Sequence, residues 1–119
     1  MREILFRGKR IDNGEWVLGG YAKCNNRHYI LPDIDLIRGE WVFKNIEVLP
    51  ETVSQYTGLT DKNGTKIFEG DRVISDYGTI GTVEWDNEEC SFLVNIGDDY
   101  QMLTDSEYVV IGNIYDNDE

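Results

Sequence analysis

The side chains that most often carry nucleophilic catalysis are scarce in this sequence. It contains one histidine, His28, and two cysteines, Cys24 and Cys90. Cys24 precedes His28 by four residues, but that spacing on strands or across a turn does not place a thiol against an imidazole. Zinc sites need closely grouped Cys and His ligands, which these three residues do not supply. We therefore predict that the protein is not an enzyme and has no catalytic residue, metal site or cofactor, and we expect both cysteines to be small buried side chains.

Carboxylates, in contrast, are abundant and are concentrated in the second part of the chain. Asp and Glu total 23 against 11 Lys and Arg, a net charge of −12. Residues 1–72 carry 11 acidic and 11 basic side chains, whereas residues 73–119 carry 12 acidic side chains and no Lys, Arg or His. We predict an acidic interaction surface formed by Glu84, Asp86, Glu88, Glu89, Asp98 and Asp99. The alternatives are a surface that only confers solubility, or a calcium site that joins residues 86–89 with residues 98–99.

The acidic part of the chain narrows the class of partner. Phosphate backbones gain affinity by releasing counterions to Lys and Arg, so a surface of carboxylates repels them. A basic protein partner fits such a surface. Self-association is the alternative if Trp16, Trp41 and Trp85 exceed what a small core can bury, but we expect at least two of them to lie in the core.

The one basic cluster in the sequence lies near its start and consists of Arg7, Lys9 and Arg10. Three cations on a predicted strand and turn can contact phosphates, and some SH3-like barrels bind RNA or DNA. Fold analogy alone is a poor basis for a function, however. We therefore keep nucleic-acid binding through these three residues as the alternative function, behind a protein–protein interaction module.

Short strands separated by turn residues are predicted along the whole chain. Asn13-Gly14 favours a tight hairpin between residues 3–11 and 15–23, and Asn25-Asn26 marks a second turn. Asp61-Lys62-Asn63-Gly64 is the strongest turn signal in the chain. The best helical candidates are single turns at residues 33–38 and 104–107. The sequence therefore predicts an all-β protein.

The expected architecture is a compact barrel or sandwich of short antiparallel strands. Gly70-Asp71-Arg72-Val73, followed by a glycine turn, is typical of the first hairpin of SH3-like barrels, so we predict an SH3-like pattern in the second half. We expect a single domain over residues 1–119, with 1–50 and 51–119 as its sub-units. The apolar run from Tyr108 to Ile111 is among the longest and is far shorter than a membrane span, and the charged first residues do not resemble a signal peptide. We expect a cytoplasmic protein without a membrane segment.

Three separated motifs occur in order along the chain. The opening motif is Arg2-Glu3-Ile4 with Phe6-Arg7-Gly8, the central one runs from Pro50 to Gly64 and continues as Ile67-Phe68-Glu69-Gly70-Asp71, and the closing one is Val110-Ile111-Gly112-Asn113-Ile114-Tyr115. Together they resemble the YopX family of small phage and prophage proteins, over almost the whole chain. Ser54 departs from the family pattern, in which this position is often Gly.

This resemblance implies a phage or prophage origin, a cytosolic location in a bacterial host cell and a compact β fold. It implies no activity, and it transfers no catalytic residue. We therefore predict an accessory protein that acts as a protein–protein interaction module with an acidic surface. The expected partner is a basic protein or a second copy of the chain.

Overall fold

The structure, a computed structural model, describes residues 3–32, 34–37, 39–43 and 45–116. In this part of the chain it contains short strands and one turn of 3₁₀ helix at Pro50–Thr52. The strands are β1 (Phe6–Lys9), β2 (Trp16–Cys24), β3 (Arg27–Leu31), β4 (Ile34–Ile37), β5 (Glu40–Phe43), β6 (Ile46–Val48), β7 (Ser54–Thr60), β8 (Lys66–Phe68), β9 (Asp71–Ser75), β10 (Ile80–Asp86), β11 (Ser91–Asn95), β12 (Tyr100–Met102) and β13 (Tyr108–Asn113). All neighbouring pairs are antiparallel. The prediction of an all-β fold of short antiparallel strands is confirmed.

The chain divides into two compact units, Met1–Gln55 and Tyr56–Glu119. In the first unit, β1 pairs with β2 in the hairpin that the sequence predicts, and Gly14 adopts a φ of +72° in the connecting turn. β3 pairs with β2 and with β6, and the start of β7 pairs with β1. β4 and β5 form a separate two-stranded ribbon.

The core of the first unit centres on Ile30 and Val48, both of which are fully buried. Gly8 lies directly against Val48: a Cβ atom on Gly8 would be 2.9 Å from Val48 Cγ2. The N–H of Leu49 donates to the carbonyl oxygen of Lys9 at 2.8 Å. β6 is thereby hydrogen-bonded to the end of β1, so its outer edge is covered.

Neither of the two short helical candidates is helical in its described residues. Residues 34–37 form β4, which pairs with β5 from Ile34↔Phe43 to Ile37↔Glu40. Residues 104–107 form turns and bends between β12 and β13. Short segments of this kind have no intrinsic helical stability, and for 34–37 the neighbouring strand supplies hydrogen-bond partners instead.

The second unit contains a five-stranded sheet with the order β12-β11-β10-β9-β13. The last strand returns to pair with β9, the first strand of the meander, as in the predicted SH3-like pattern. One face of this sheet carries the core: Val73, Val83 and Val94 are fully buried and pack with Ile67 and Tyr108. Within the described residues no sheet closes its first strand against its last, so the closed-barrel alternative is not what forms.

Both cysteines are exposed, so the expectation that they are buried is wrong. Cys24 ends β2 next to the turn at Asn25 and Asn26, where both residues have positive φ. Cys90 lies in the turn between β10 and β11, with a φ of +52°. Residues at hairpin turns face solvent whatever their polarity, because no strand covers them. In the described part of the chain there is no helix long and apolar enough to cross a membrane.

Candidate functional site

Four of the six predicted carboxylates lie together in the hairpin formed by β10 and β11. Glu84 is opposite Leu93 and Asp86 is opposite Ser91, while Glu88 and Glu89 occupy the connecting turn. We call this set, Glu84, Asp86, Glu88 and Glu89, the acidic hairpin. Side chains alternate along a strand, so Glu84 and Asp86 project from the face opposite the core residue Val83.

Polar side chains in the turn shape the acidic hairpin. Asp86 Oδ1 accepts the N–H of Glu88 at 2.9 Å, and Asn87 Oδ1 accepts the indole N–H of Trp85 at 2.7 Å. Asp and Asn side chains commonly hydrogen-bond the backbone two residues ahead in turns, which explains why this sequence reverses direction here. The remaining carboxylates, Glu88 and Glu89, are exposed.

An exposed aromatic residue lies within the acidic hairpin. Trp85 is 45% exposed, and its ring packs against Phe92 at a centroid distance of 5.0 Å and an angle of 68°. Trp16 is half-buried. The side chain of Trp41 is not among those that the structure describes. Because neither Trp16 nor Trp85 is fully buried, the expectation that at least two tryptophans lie in the core is wrong.

The other two predicted carboxylates, Asp98 and Asp99, are not part of this group. They lie in the turn between β11 and β12, at the opposite end of β11 from the acidic hairpin turn. A strand advances about 3.3 Å per residue, so the two turns are roughly 20 Å apart. A calcium ion shared by residues 86–89 and 98–99 is therefore excluded by the fold. Within the described residues, no three His, Cys, Asp or Glu side chains are grouped to hold a metal ion.

Three cations belong to the second unit, and their positions determine how negative its surface is. Lys62 Nζ lies 3.9 Å from Asp76, and Lys66 Nζ lies 5.0 Å from the ring centre of Tyr56. Arg72 is exposed on the outer face of the five-stranded sheet, opposite Thr82 and two positions along β10 from Glu84. One cation is therefore near Glu84, but residues 87–99 contain none.

The predicted basic cluster separates into two parts in the first unit. Arg7 and Lys9 share one face of β1 with Trp16, and their cationic groups lie 4.7 Å and 5.5 Å from its ring. Arg10 instead forms two hydrogen bonds with Asp12, at 2.9 and 2.8 Å. The hydrogen bonds from Arg10 lower the pKa of Asp12, so the charge of Arg10 is compensated locally.

Cys24 and His28 do not form a catalytic pair. Cys24 is opposite Arg27, and His28 is opposite Lys23, so the alternation of the strands places the thiol and the imidazole on opposite faces. The imidazole Nδ1 of His28 is hydrogen-bonded to the hydroxyl of Tyr21 at 2.5 Å. The lone histidine is part of the packing of its own sheet.

The residues of the central motif are used by the fold. Asp61 Oδ1 accepts the N–H groups of Asn63 and Thr65 at 2.8 and 2.9 Å, and its Oδ2 accepts the N–H of Val110 at 2.9 Å. Burial would raise the pKa of Asp61, but the N–H donors outweigh it and lower this pKa. One carboxylate therefore holds the turn after β7 and also connects it to β13.

The central and closing motifs meet at Gly70. Its φ is +86°, and a Cβ atom there would be 2.6 Å from the ring of Tyr115. The N–H of Ile114 donates to the carbonyl oxygen of Gly70 at 2.9 Å. The next residue, Asp71, is buried, and its carboxylate accepts the N–H of Phe68 at 2.8 Å. These motif positions therefore satisfy structural requirements of the fold.

The prediction of the acidic surface missed Trp85 and Asn87. Their signal was present, because Trp85 is an aromatic residue immediately before a polar turn, but we expected at least two of the three tryptophans in the core.

Comparison with known protein families identifies the family to which the chain belongs. The family model for the YopX protein matches residues 5–119, a range that contains the central and closing motifs. No curated protein sequence matches the chain. Since the matched range covers nearly the whole length, it confirms the resemblance, and the chain belongs to the YopX protein family.

Proposed function

We propose that this YopX-family chain is a non-enzymatic phage or prophage accessory protein that binds a basic protein partner in the bacterial cytoplasm. The observation that carries the proposal is the acidic hairpin. The exposed Glu88 and Glu89 follow a 45% exposed tryptophan, Trp85, while Glu84 and Asp86 project from the other face of the same hairpin. This part of the sequence contains no Lys, Arg or His after Arg72. Carboxylates next to an exposed indole suit an Arg- or Lys-rich segment.

The physical basis is the sum of several modest interactions. Two unit charges about 10 Å apart in water attract by only about 0.4 kcal/mol, so a single pair binds nothing. Four carboxylates acting on several cations steer association and raise its rate at low salt. A cation over the face of Trp85 adds about 0.5–1 kcal/mol at an exposed site, and buried tryptophans are frequent binding hot spots.

Self-association is disfavoured by the same charges. A second copy brings its own net charge of −12, and like charges facing each other reduce affinity. Enrichment of a dimer by added salt, without any bound basic protein, would favour self-association over this proposal.

The test uses an Arg-rich peptide with Gly and Ser spacers as the probe. The hairpin variant changes Glu84, Glu88 and Glu89 to Gln and Asp86→Asn, which keeps an Oδ1 acceptor for the turn. The matched control makes the same change in net charge in the first unit, replacing Glu3, Glu15, Glu47 and Glu51 with Gln. We expect the hairpin variant to weaken binding about tenfold, and the control to weaken it less than about twofold.

The dependence on salt provides a second readout. Wild-type affinity is expected to fall steeply between about 0.05 M and about 0.5 M salt, because exposed charges are screened over this range. The same two variants are then used to capture proteins from a bacterial lysate. A protein that binds the acidic hairpin should be captured by the control variant but not by the hairpin variant. Equal loss with both variants would mean that only overall charge matters, and would contradict the proposal.

Nucleic-acid binding is the second candidate function, and the arrangement of Arg7, Lys9 and Trp16 favours it. Cations beside an aromatic ring are the elements that bind single-stranded nucleic acids. Filter binding to DNA and RNA tests it with an Arg7→Ala, Lys9→Ala variant and with Arg10→Ala as the control, because Arg10 is paired with Asp12. Salt-sensitive binding that only the double variant weakens would support this function; no binding above background would eliminate it.

A further inference from the structure

A cavity of about 280 Å³ lies in the second unit, apart from the acidic hairpin. It is formed by residues 59–62, which end β7 and begin the following turn, and by residues 103–108, which lead into β13. Ile67, Leu103 and Tyr108 are buried and contribute apolar surface to the lining, to which Leu59, 40% exposed, also belongs.

The rim of the cavity is polar. Its polar lining residues include Thr60, Lys62, Thr104 and Glu107, which are exposed, and the half-buried Ser106. Asp61 also lines the cavity, but both of its carboxylate oxygens accept backbone N–H groups, so it is a structural part of the wall.

Negative charge predominates around this rim. Among the described lining residues, Lys62 carries the only ammonium group. Its Nζ lies 3.9 Å from the carboxylate of Asp76, which compensates its charge. Asp105 lies in the same loop as Glu107, and burial together with the charge of Asp105 raises the pKa of Tyr108. The surroundings of the cavity therefore favour a cationic ligand.

One hydrogen bond joins the two walls and two others hold the segment of residues 103–108, so the cavity is already formed without a ligand. The N–H of Lys62 donates to the carbonyl oxygen of Tyr108 at 3.0 Å and so joins the two walls. The N–H of Asp76 donates to the carbonyl oxygen of Glu107 at 3.1 Å. The N–H of Met102 donates to Asp105 Oδ2 at 2.9 Å. Preformed sites lose little conformational entropy when they bind.

We propose that this cavity binds an apolar side chain of the basic protein partner, with adjacent Lys or Arg residues facing Glu107 and Asp105. Small-molecule sites usually enclose about 300–1,000 Å³, and this cavity, at about 280 Å³, lies at the lower end of that range and has room for one or two apolar side chains. An apolar side chain in a pocket, flanked by charge pairs on the rim, is how many protein interfaces are anchored. This inference rests on the proposed function and adds a second, apolar requirement to it.

The experiment compares two synthetic peptides that differ at one position. Both contain four lysines with Gly and Ser spacers, and the central residue is Leu in one and Ser in the other. Binding is followed by backbone amide chemical shifts. We expect the Leu peptide to shift residues 59–62 and 103–108, and to bind about tenfold more tightly than the Ser peptide.

Two leucines of nearly equal exposure provide the matched variants. Leu59→Ser removes an exposed apolar side chain from the cavity lining. Leu18→Ser changes a leucine of the first unit that is 41% exposed, against 40% for Leu59. Leu59→Ser is expected to abolish the preference for the Leu peptide, and Leu18→Ser to leave it unchanged. Glu107→Gln should weaken both peptides and reduce their salt dependence.

The outcomes separate this inference from the proposed function. If both peptides bind equally and shift only residues 84–92, the cavity proposal is overturned while the acidic hairpin still binds a basic partner. If neither peptide binds and the hairpin variant behaves as the wild type, both proposals fail.

Discussion

Replacing Gly70 with alanine is expected to destabilise the second unit by about 2–5 kcal/mol. An L-residue in the left-handed region costs about 1–2 kcal/mol, and the φ of Gly70 is +86°. The new Cβ would also lie 2.6 Å from the Tyr115 ring, and forcing such a group into a packed site costs about 1–3 kcal/mol. Urea denaturation, followed by circular dichroism, measures the loss.

Two further variants separate the backbone term from the steric one. Gly78 has a φ of +83°, and no atom lies within 4 Å of the position that a Cβ atom would occupy there, so Gly78→Ala should cost only the backbone term. Combining Gly70→Ala with Tyr115→Ala should recover part of the steric cost and show a coupling energy in a double-mutant cycle. Equal costs for Gly70→Ala and Gly78→Ala would show that Tyr115 does not press against Gly70.

Replacing Asp61 with alanine is expected to cost about 2–4 kcal/mol at neutral pH. The change leaves three backbone N–H groups without their acceptor, and hydrogen bonds to a charged group contribute about 1.5–3 kcal/mol each, less where water replaces them. Asp61→Asn retains an acceptor for Asn63 and Thr65 and should cost less, because chiefly the bond to Val110 is affected. Asp86→Ala, which removes the acceptor of one exposed turn N–H, is the control and should cost less than about 1 kcal/mol.

The pH dependence of the Asp61 variant follows from the direction of the pKa shift. The folded-state pKa of Asp61 is lowered below its ordinary value of 3.8, so the folded state favours the ionised form. Its stabilisation is present in full above the unfolded pKa, and it is lost as the pH falls through the folded pKa. The difference in unfolding free energy between wild type and Asp61→Ala should therefore be constant near neutral pH and shrink below about pH 4. A difference that does not change with pH would mean that the charge of Asp61 is not what the three N–H groups require.

Several aspartates in this protein stabilise the fold by accepting backbone hydrogen bonds, in addition to contributing negative charge. Backbone N–H groups donate to the carboxylates of Asp61, Asp71, Asp86, Asp99 and Asp105. Part of the acidity of the second unit is therefore explained by turn geometry alone. Glu88 and Glu89, both exposed on the acidic hairpin, are the better markers of a binding surface, and variants that test it should keep the Asp86 acceptor by using asparagine.

Local sequence was sufficient to predict the all-β class, the β1–β2 hairpin and the turns at Asn25-Asn26 and Asp61 to Gly64. These features depend on residues that are close along the chain: period-two alternation, Asn-Gly pairs and aspartates that accept N–H groups two residues ahead. The family resemblance was equally readable, because its motifs are the residues that those turns and the core require.

Which of these residues meet depends on the tertiary fold. Strand order and register put Asp98 and Asp99 at the far end of β11 from the acidic hairpin, and they left Trp85 exposed. The cavity between residues 59–62 and 103–108 likewise joins segments that are distant in sequence. The face and end of a sheet that a side chain occupies depend on pairing with remote strands, and local patterns do not contain that information.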